Sequence, residues 1–289
     1  MNIDIDAARN FVLGHGRLLD RRRFDLLFED GDRSIAGGLV LRALLAYQNP
    51  DGGFGSALEP DLRSAESQTV CAEVALRMMG ELDTIDAAAV RALCDWCAAN
   101  AVDGGGLPFA LPAVASGPRA PWWQATDEPS LNPTAAIVGL LVKFDIDHAW
   151  VERAAEWCWS ELESNPGAID HHSALCAIEF LQAAPQDARA ERATSSVRDR
   201  VVGELVELDP AAEGYVFPPL QFARRPEALS RPWFDDATID THLEALESSQ
   251  SDDGGWSIPW EPPSSGALSE WRAIVTIEAL QTLRGYGRL

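Results

Sequence analysis

Apolar residues recur every three to four positions over most of this chain, which is the spacing of a helix with a buried face. Strict alternation of apolar and polar residues between turns, which would predict strands, is not evident. The predicted helices are Ala7–Leu19, Ile35–Tyr47, Ser67–Met79, Ile85–Asn100, Pro133–Phe144, Trp150–Leu162, Ile169–Ala183, Glu191–Leu208, Ala237–Ser249 and Ser269–Leu283. The pattern therefore predicts an all-α protein.

The predicted helices are of two kinds. Thr69–Leu76, Thr134–Val142 and Ala273–Leu280 are apolar around most of their circumference, which predicts burial on nearly all sides. Ala87–Ala99 and Arg198–Leu208 instead carry charges at helical spacing, as surface helices do. Buried helices that alternate with surface helices predict two concentric rings. We therefore expect an α/α toroid, a double ring of about five to six helical hairpins that forms a single domain over residues 1–289.

Two turn segments share one pattern at distant points of the chain. Gln48–Phe54 and Gln250–Trp256 each contain a glutamine, a short polar stretch, an aspartate, two glycines and an aromatic residue. Each follows a predicted helix and precedes another, so the pattern predicts repeated helical hairpins. Glycine readily adopts the left-handed conformation that ends many helices, and the glutamine is expected to bind unpaired carbonyls at that helix end. Shorter glycine turns occur at Gly106-Leu107, Gly167–Ile169 and Gly214-Tyr215.

These turns resemble the QW-type repeats of the squalene cyclase and prenyltransferase superfamily, and the chain also resembles a group of uncharacterised bacterial prenyltransferase-like proteins. The motif itself is clear only in Gln48–Gly55 and Gln250–Trp256. The resemblance implies an α/α toroid. It also implies a terpene-cyclase-like or prenyltransferase-like activity on an isoprenoid or similar apolar substrate.

The sequence lacks the Asp-x-Asp-Asp motif with which squalene-type cyclases protonate an alkene. Asp4–Asp6, Asp30–Asp32 and Asp145–Asp147 each have two acids at the required spacing, but none has an Asp at the fourth position. This absence argues against class II cyclisation, and it leaves the source of a proton to other acids of the chain.

Two metal-binding motifs of related enzymes are also incomplete. After Asp235 and Asp236, the third acid of an Asp-Asp-x-x-Asp magnesium motif stands one position late, at Asp240. We therefore interpret the first two acids as helix N-caps. The Asp-x-Cys zinc motif of protein prenyltransferases matches Asp95–Cys97, but within a predicted outer helix, so zinc is not expected. No metal site is predicted, and magnesium is expected only with a diphosphate substrate.

Composition narrows the possible partners and location. Acidic residues outnumber Lys and Arg by 45 to 23, and the formal charge of −22 disfavours nucleic acid and anionic membranes as partners. The five cysteines are an odd number and mostly lie in apolar helical stretches, as in a reduced protein with buried thiols. No apolar run approaches the ~20 residues of a membrane span, and no signal peptide is visible. We therefore expect a cytoplasmic protein, and the oligomeric state stays open.

Four long connections between predicted helices contain most of the candidate functional residues. They are Ser56–Glu66, Pro108–Asn132, Phe217–Asp236 and Ser257–Ser269. In a ring of antiparallel hairpins they are expected at one end, and loops of this length are usually functional. The tryptophans in or beside them are Trp122, Trp123, Trp233, Trp256, Trp260 and Trp271. Because aromatic faces stabilise cations, these loops are expected to surround a central pocket suited to a carbocation.

The candidate catalytic residues are acids of these loops. Glu59 and Asp61 stand in a proline-stiffened segment beside Arg63, and Glu270 lies near Arg272 at the start of the last helix. If the pocket removes one of these carboxyls from water, its pKa rises and it can donate a proton near neutral pH. The arginines are expected to hold a diphosphate, and the aromatic residues to line the pocket. The predicted substrate-binding residues are Arg63, Arg119, Trp122, Trp123, Asp127, Asp170, His171, Arg224, Arg231, Trp233, Trp260, Trp271 and Arg272.

Other interpretations of the same residues stay open. Tryptophans and prolines also pin long loops, and acids also cap helices or pair with arginines. Tryptophans beside two opposed carboxyl groups suit a carbohydrate-active toroid as well. A third hypothesis is a non-catalytic toroid that binds a lipid or a partner protein.

Overall fold

The computed structural model describes residues 3–82, 85–102 and 104–289, and within these ranges the regular structure is helical. Isolated bridges occur there, but no strand forms, and no helix is both long and apolar enough to cross a membrane. The prediction of an all-α protein is confirmed. The α-helices are α1 (Ile5–His15), α2 (Leu18–Phe28), α3 (Arg33–Leu45), α4 (Thr69–Met79), α5 (Ala87–Asn100), α6 (Leu131–Lys143), α7 (Ala149–Ser164), α8 (His171–Ala183), α9 (Ala188–Arg200), α10 (Pro219–Phe222), α11 (Asp236–Ser248) and α12 (Ser265–Gly285).

The helix predicted over Ala7–Leu19 is in fact two helices, since α1 ends early and α2 follows after a short break. The hydrophobic pattern does not predict α2 because Asp20 and Arg23 occupy buried positions in it. Arg17 compensates the buried carboxylate. Its Nε lies 2.8 Å from Asp20 Oδ2, and its backbone N–H donates to the same oxygen at 3.0 Å.

The helix predicted over Glu191–Leu208 changes type before it ends. α9 stops at Arg200, and Val201–Leu205 continues as a π-helical turn. Gly203 lies within this turn and lowers the local preference for an α-helix. The remaining predicted helices are present, with ends that differ by a few residues.

The chain divides into two compact units. Residues 44–205 form the first from one stretch of chain, which we call the continuous unit. Residues 1–43 and 206–289 form the second, which we call the split unit. The single domain expected over residues 1–289 stays a prediction.

Helix α6 is the core of the continuous unit. Its residues from Pro133 to Leu141 are all buried, as predicted for a helix that is apolar on most faces. It packs against α4, α7 and α8, most extensively against α8. A Cβ atom on Gly139 would lie 2.7 Å from the Cα of Phe180, so a side chain at this position would force the two helices apart.

Helix α12 has the equivalent role in the split unit. It packs against α1, α2 and α11, and it buries Ile277, Leu280 and Leu283 completely. Burial of one such side chain stabilises a fold by about 1.5–3 kcal/mol. The buried helix predicted over Ala273–Leu280 is therefore present.

The first Asp-Gly-Gly turn closes on itself and on α5. The backbone N–H of Asn49 donates to Gly53 O at 2.8 Å, and Gly52 has a φ of 92°, which glycine adopts at little steric cost. Gln48 Nε2 donates to the carbonyl oxygens of Gly52 and Ala89, both at 2.9 Å. Because Ala89 lies in the first turn of α5, the glutamine ties the turn to another helix, and not to the end of the preceding helix as predicted.

The second turn repeats these contacts in the split unit, with α1 in the place of α5. Gln250 Nε2 donates to Gly254 O at 3.0 Å and to the carbonyl of Asp4, the N-cap of α1, at 2.9 Å. The Asp4 N–H donates back to Gln250 Oε1 at 3.0 Å. Gly254 has a φ of 90°, and a Cβ there would lie 2.3 Å from the carbonyl carbon of Ala7. The first helix of the chain thus completes a turn that lies between α11 and α12.

A third turn of this geometry forms without a glutamine. The backbone N–H of Val102 donates to Gly106 O at 2.9 Å, and Gly105 has a φ of 102°. Trp150 of α7 donates through Nε1 to Gly105 O at 2.9 Å, which replaces the bond that glutamine makes in the other two turns. The glycine turn predicted at Gly106-Leu107 is present, and it again contacts the start of another helix.

Thr276 of α12 holds the residue that follows the second turn. Its buried Oγ1 accepts the backbone N–H of Trp256 at 3.0 Å and donates to Arg272 O at 2.7 Å. Valine has nearly the same volume but cannot accept this N–H. We therefore expect Thr276→Val to lower the free energy of unfolding by about 2 kcal/mol, measured by urea denaturation.

Thr282→Val is the matched control for this prediction. Thr282 lies on the same helix and is also buried, but its hydroxyl donates to the Glu278 carbonyl one turn earlier. Its replacement should cost less than about 1 kcal/mol. Equal losses in the two variants would contradict the role assigned to Thr276.

All five cysteines are buried and none forms a disulfide, as predicted. Burial raises the pKa of Cys94 to about 11, and it raises the pKa of Cys97 and Cys158 further above the ordinary range. Thiols of this kind stay protonated near neutral pH and react slowly. The cysteines therefore contribute packing to the core.

Candidate functional site

The loop Ser56–Glu66 begins with a strained backbone. Ser56 and Ala57 have φ of 55° and 61°, a left-handed conformation that costs a non-glycine residue roughly 1–2 kcal/mol. The backbone N–H of Ser56 donates to Ala65 O at 3.3 Å and closes the loop. Strain of this kind persists only where the surroundings enforce it, and it is frequent at functional sites.

The two acids predicted in this loop lie inside the protein. Glu59 and Asp61 are 5% and 2% exposed, and their neighbours Leu58 and Leu62 are buried as well. Acidic side chains are seldom buried to this degree. In general, a carboxyl group that is removed from water holds its proton more strongly than one in water. The loop therefore places both acids away from bulk water.

The next long loop packs directly on this one. The backbone N–H of Ala120 donates to Asp61 O at 2.9 Å. A buried apolar cluster joins the two loops through Leu62, Ala110, Val114, Ala120 and Trp123. We refer to residues 56–66 and 108–132 together as the paired loops. Their packing fixes the segment that carries both acids.

Two buried hydrogen-bond donors in or next to the paired loops have no acceptor among the described residues. Gln68 accepts the Leu111 N–H through Oε1 at 3.0 Å, but its Nε2 has no hydrogen-bond partner. Trp123 stacks on Phe109 with ring centroids 4.8 Å apart, and its Nε1 also has none. A buried donor without an acceptor costs about 1–3 kcal/mol. Such groups require an explanation, and a functional role is one.

The predicted arginines of the paired loops contact the loop backbone. Arg63 donates through Nη1 to Pro60 O at 3.4 Å and through its backbone N–H to Pro118 O at 2.9 Å. Arg119 donates through Nε to Trp123 O at 2.9 Å. These contacts stabilise the loops, and the predicted binding of a diphosphate by these side chains stays a prediction.

Four other predicted residues of the continuous unit lie nearer the surface. Trp122 and Asp127 are exposed. Asp170 is exposed and caps α8, since its Oδ1 accepts the Ser173 N–H at 2.7 Å. His171 is half-buried in the first turn of that helix. Asp170 therefore has the capping role that the sequence left open as an alternative.

The predicted arginines of the split unit also have protein partners. Arg224 pairs with Glu278 at 3.0 Å. Arg231 donates through Nη1 to Phe234 O at 2.8 Å and forms an ion pair with Asp236. Arg224 thus connects the segment before α11 to α12, and Arg231 stabilises the end of that segment. Neither contact tests a role in substrate binding.

Of the two acids predicted as N-caps of α11, Asp235 has that role and Asp236 does not. Asp235 is the N-cap and accepts the Thr238 N–H at 2.7 Å, and Asp236 is the first helical residue. That hydrogen bond lowers the pKa of Asp235 below its ordinary value. Trp233 is half-buried in the short 3-10 turn just before them.

The structure brings two of the predicted tryptophans together in the split unit. The ring centroids of Trp260 and Trp271 lie 5.2 Å apart at an interplanar angle of 83°. Trp260 also meets the exposed ring of Tyr215 at 5.6 Å and 87°. These are edge-to-face contacts, which aromatic rings prefer. Glu270 is half-buried beside Trp271 on α12.

Arg272 is held by the second Asp-Gly-Gly turn. Its two Nη atoms donate to the two carboxylate oxygens of Asp253, both at 2.8 Å, and its Nε donates to Trp256 O at 3.2 Å. The guanidinium also lies 4.4 Å from the ring centroid of Phe11. An open depression of about 490 Å³ lies here, lined by Ser251, Asp252, Asp253, Ser257, Ile258, Leu268 and Arg272.

The pair of Asp253 and Arg272 should make stability depend on pH. The Arg272 hydrogen bonds, with a smaller contribution from the Gly255 N–H, hold the pKa of Asp253 below its ordinary value. Since the folded-state pKa is below the unfolded one, the stabilisation is present above about pH 4 and is lost as pH falls through the folded value. We expect Asp253→Asn to lower Tm by about 2–4 °C near neutral pH, and by less at lower pH.

Asp252→Asn is the control for this experiment, because Asp252 is an exposed neighbour on the same turn. Differential scanning calorimetry near neutral pH and below about pH 4 measures both variants. A Tm loss in Asp253→Asn that stays constant with pH would contradict the assigned cause.

Helices α4 and α8 carry a charged cluster that the sequence analysis did not predict. Arg77 Nε lies 2.8 Å from Glu73 Oε1, and its Nη1 lies 3.0 Å from Glu179 Oε2. Burial alone would lower the pKa of Arg77, but the two carboxylates outweigh it and raise the pKa. The sequence feature that could have predicted this cluster is the pair of Glu73 and Arg77, four residues apart in an otherwise apolar helix.

His172 lies beside this cluster at the start of α8. Solvent reaches its imidazole, yet protein surrounds the ring closely enough that burial lowers its pKa, against the opposing effect of Asp170 and Glu73. The ordinary pKa of a histidine is already below 7, so His172 is neutral near pH 7.

The Asp-x-Cys segment lies in α5, as predicted. Asp95 Oδ1 contacts His148 Nε2 at 3.2 Å, whereas Cys97 is buried. Burial raises the pKa of its thiol, and a protonated thiol is a poor zinc ligand. Across the part of the chain that the structure describes, no three or more His, Cys, Asp or Glu side chains are grouped as metal ligands would be. The expectations for zinc and magnesium stay predictions.

The comparisons with known proteins bear on the fold. No family model and no curated protein matches this chain. Among solved structures, the chain is similar to a variant of the type II terpene cyclase MstE from Scytonema, in complex with its substrate geranylgeranyl dihydroxybenzoate. The TM-score is 0.56 at 12% identity, over 97% of this chain and 96% of that chain. The predicted α/α toroid class is therefore confirmed, because the chain shares the fold of a type II terpene cyclase.

Proposed function

We propose that this protein is a terpene-cyclase-like enzyme that protonates an isoprenoid or similarly apolar substrate. The observation that carries the proposal is the burial of Glu59 and Asp61 within the paired loops, at 5% and 2% exposure. An acid that starts a carbocation reaction must keep its proton near neutral pH and transfer it away from water. A carboxyl group that is buried away from water is suited to both requirements.

The surroundings of these acids support a cationic intermediate. Trp123 belongs to the apolar cluster around Leu62, and its ring stacks on Phe109. Aromatic faces attract cations, most strongly where water is excluded. The chain lacks the Asp-x-Asp-Asp motif, so the proposal assigns the proton to the Glu-Pro-Asp segment at residues 59–61.

The fold supports an isoprenoid as the substrate class. The similar type II cyclase was solved with geranylgeranyl dihydroxybenzoate, which joins an isoprenoid chain to an aromatic acid. The shared fold extends that substrate class to this chain as a proposal. The prenyltransferase-like alternative would instead require a diphosphate leaving group, and the predicted arginines would have to exchange their present protein partners for it.

Incubation in deuterated water tests the proposal. The purified chain is offered prenyl diphosphates, polyenes and prenylated aromatic acids, with and without magnesium, and the products are analysed by mass spectrometry. Proton-initiated cyclisation adds one deuterium to the product and releases no pyrophosphate. Pyrophosphate release without deuterium would support a prenyltransferase-like reaction instead. Consumption of none of these substrates, together with no increase in Tm, would rule the proposal out.

A further inference from the structure

The two buried donors that lack an acceptor are held in place by contacts on their other atoms. Gln68 is 1% exposed, and its Oε1 accepts the Leu111 N–H at 3.0 Å. Exchanging the two ends of this amide would put one N–H against another, so the end without a partner is Nε2. Trp123 is 6% exposed, and its ring stacks on Phe109 at an interplanar angle of 11°. Its Nε1 can only donate, and it too has no acceptor among the described residues.

Both side chains contact the same three residues of the second loop. Phe109 stacks on Trp123, and Leu111 donates to Gln68. The start of α4 is tied to this segment a second time, because Thr69 Oγ1 donates to Phe109 O at 2.7 Å. The two donors therefore belong to side chains that are anchored on one short piece of backbone.

The same packing connects Trp123 with the segment that carries the proposed acids. Its backbone N–H donates to Ala120 O at 3.2 Å, and the Ala120 N–H donates to Asp61 O at 2.9 Å. Trp123 also belongs to the apolar cluster of the paired loops. Val70 and Phe109 pack against that cluster but are only partly buried, so part of its apolar edge is accessible to a ligand.

A bound oxygen atom would satisfy both donors. Native proteins rarely keep a buried N–H group without an acceptor, because water is lost and nothing replaces it. An oxygen atom of the substrate supplies an acceptor, whereas a hydrocarbon chain does not. Neither donor is charged, and Arg63 and Arg119 of the paired loops donate to backbone carbonyls. Because a buried anion requires a cationic partner, the two donors suit an uncharged oxygen, such as that of a hydroxyl or carbonyl group.

We infer that Gln68 Nε2 and Trp123 Nε1 bind an uncharged oxygen of the substrate, so that the substrate is an oxygenated isoprenoid and not a plain polyene. The inference rests on the proposed function. It gives Trp123 a hydrogen-bonding role besides the predicted aromatic one, and it adds Gln68 to the substrate-binding residues. By binding this oxygen, the two donors fix how the isoprenoid chain lies relative to Glu59 and Asp61.

Two ligands that differ in one oxygen test this inference on the full chain. Farnesol and farnesene have isoprenoid chains of the same length, but only farnesol carries a hydroxyl group. Isothermal titration calorimetry gives the ratio of their Kd values, in which the contribution of the shared chain cancels between variants. Trp123→Phe keeps an aromatic ring but loses the N–H, and the ratio should change by about 5-fold against farnesol, as for one lost hydrogen bond.

Gln68→Glu should have a similar effect at pH 9, where a carboxyl group whose pKa burial raises by about four units is still ionised. The new side chain keeps the acceptor for the Leu111 N–H but cannot donate. Gln124→Glu is the matched control, because Gln124 is an exposed residue of the second loop whose Nε2 donates to Pro121 O at 2.7 Å. Its Kd ratio should equal that of the wild type. Farnesoic acid should bind the wild type more weakly than farnesol, and tighter binding would contradict an uncharged oxygen.

The outcomes separate the inference from the proposed function. If the wild type binds neither ligand and consumes no substrate, both are wrong. If it is active and the folded Gln68 and Trp123 variants keep the wild-type Kd ratio, the inference alone is overturned. Activity on oxygen-free polyenes alone would also overturn it. Where the deuterium assay identifies a longer substrate, that substrate and its oxygen-free hydrocarbon replace the pair of ligands.

NMR of the wild type decides if the variants fail to fold, as judged by circular dichroism. The Nε1–H signal of Trp123 should move downfield when farnesol binds, and it should not do so with farnesene. A signal that farnesol leaves unchanged, as for a donor that binds only an internal water molecule, would overturn the inference.

Discussion

Gly254→Ala is expected to lower the free energy of unfolding by about 4 kcal/mol, one of the largest effects of a single substitution in this chain. The added Cβ would lie 2.3 Å from the carbonyl carbon of Ala7, a distance that real structures do not tolerate. Either α1 or the turn must move, and the bonds between Gln250 and Asp4 would be lost with that movement. Urea denaturation followed by circular dichroism measures the loss.

Gly214→Ala separates steric overlap from backbone strain. Gly214 has the same φ of 90°, but a Cβ there would meet no atom within 4 Å. Its substitution should therefore cost only the left-handed strain of roughly 1–2 kcal/mol. If the two variants lose equal stability, the contact between the second turn and α1 does not have the role assigned to it.

The second large effect is expected on activity. Glu59→Gln or Asp61→Asn should lower turnover by about 10²–10⁴, because an amide cannot deliver the proton that starts the reaction. The acid whose replacement has the larger effect is the donor. The measurement is the deuterium-incorporation assay described above, with substrate in excess.

Glu66→Gln is the control for these variants, since Glu66 belongs to the same loop and is exposed. Its turnover and Tm should match those of the wild type. Both buried-acid variants must remain folded by circular dichroism, and their amide groups have nearly the size of the carboxyl groups they replace. Full activity in both folded variants would show that neither Glu59 nor Asp61 is the proton donor. Glu270 would then be the next acid to replace.

Much of the fold could be predicted because most helices obey the rule that apolar positions are buried. The rule fails at α2, where Asp20 and Arg23 are buried and Arg17 pairs with the Asp20 carboxylate from three residues before it. It also misplaces the end of α9, where a π-helical turn over Val201–Leu205 continues the helix.

The glutamines of the two turns show another limit. The motif predicts a turn after a helix, and a turn is present. The second bond of each glutamine goes to Ala89 or Asp4, which are distant in sequence. No pattern within the motif identifies these partners. The third turn could not be recognised as equivalent from its sequence, because Trp150 makes the hydrogen bond that a glutamine makes in the other two turns.

The candidate site could be predicted only in part. The proline-stiffened loop pointed to Glu59 and Asp61, and the structure buries both. The cluster of Glu73, Arg77 and Glu179 was not predicted, because charges on a helix usually indicate a face in water. Its members come together only when α4 and α8 are packed beside α6. Arg272 was predicted to bind substrate, and its pairing with Asp253 was not predicted. The sequence pattern gave the turn that contains Asp253 no electrostatic role.

The two-part origin of the split unit has a consequence for biosynthesis. Helix α1 leaves the ribosome long before residues 206–289, which contain the turn and the helix α12 that cover it. Nascent domains generally fold as soon as their residues are available. The continuous unit can therefore fold while the chain is still growing, and Phe11 and Val12, which are buried in the folded protein, stay unprotected until residues 206–289 have been synthesised. A chaperone that binds short apolar segments has its longest opportunity at α1.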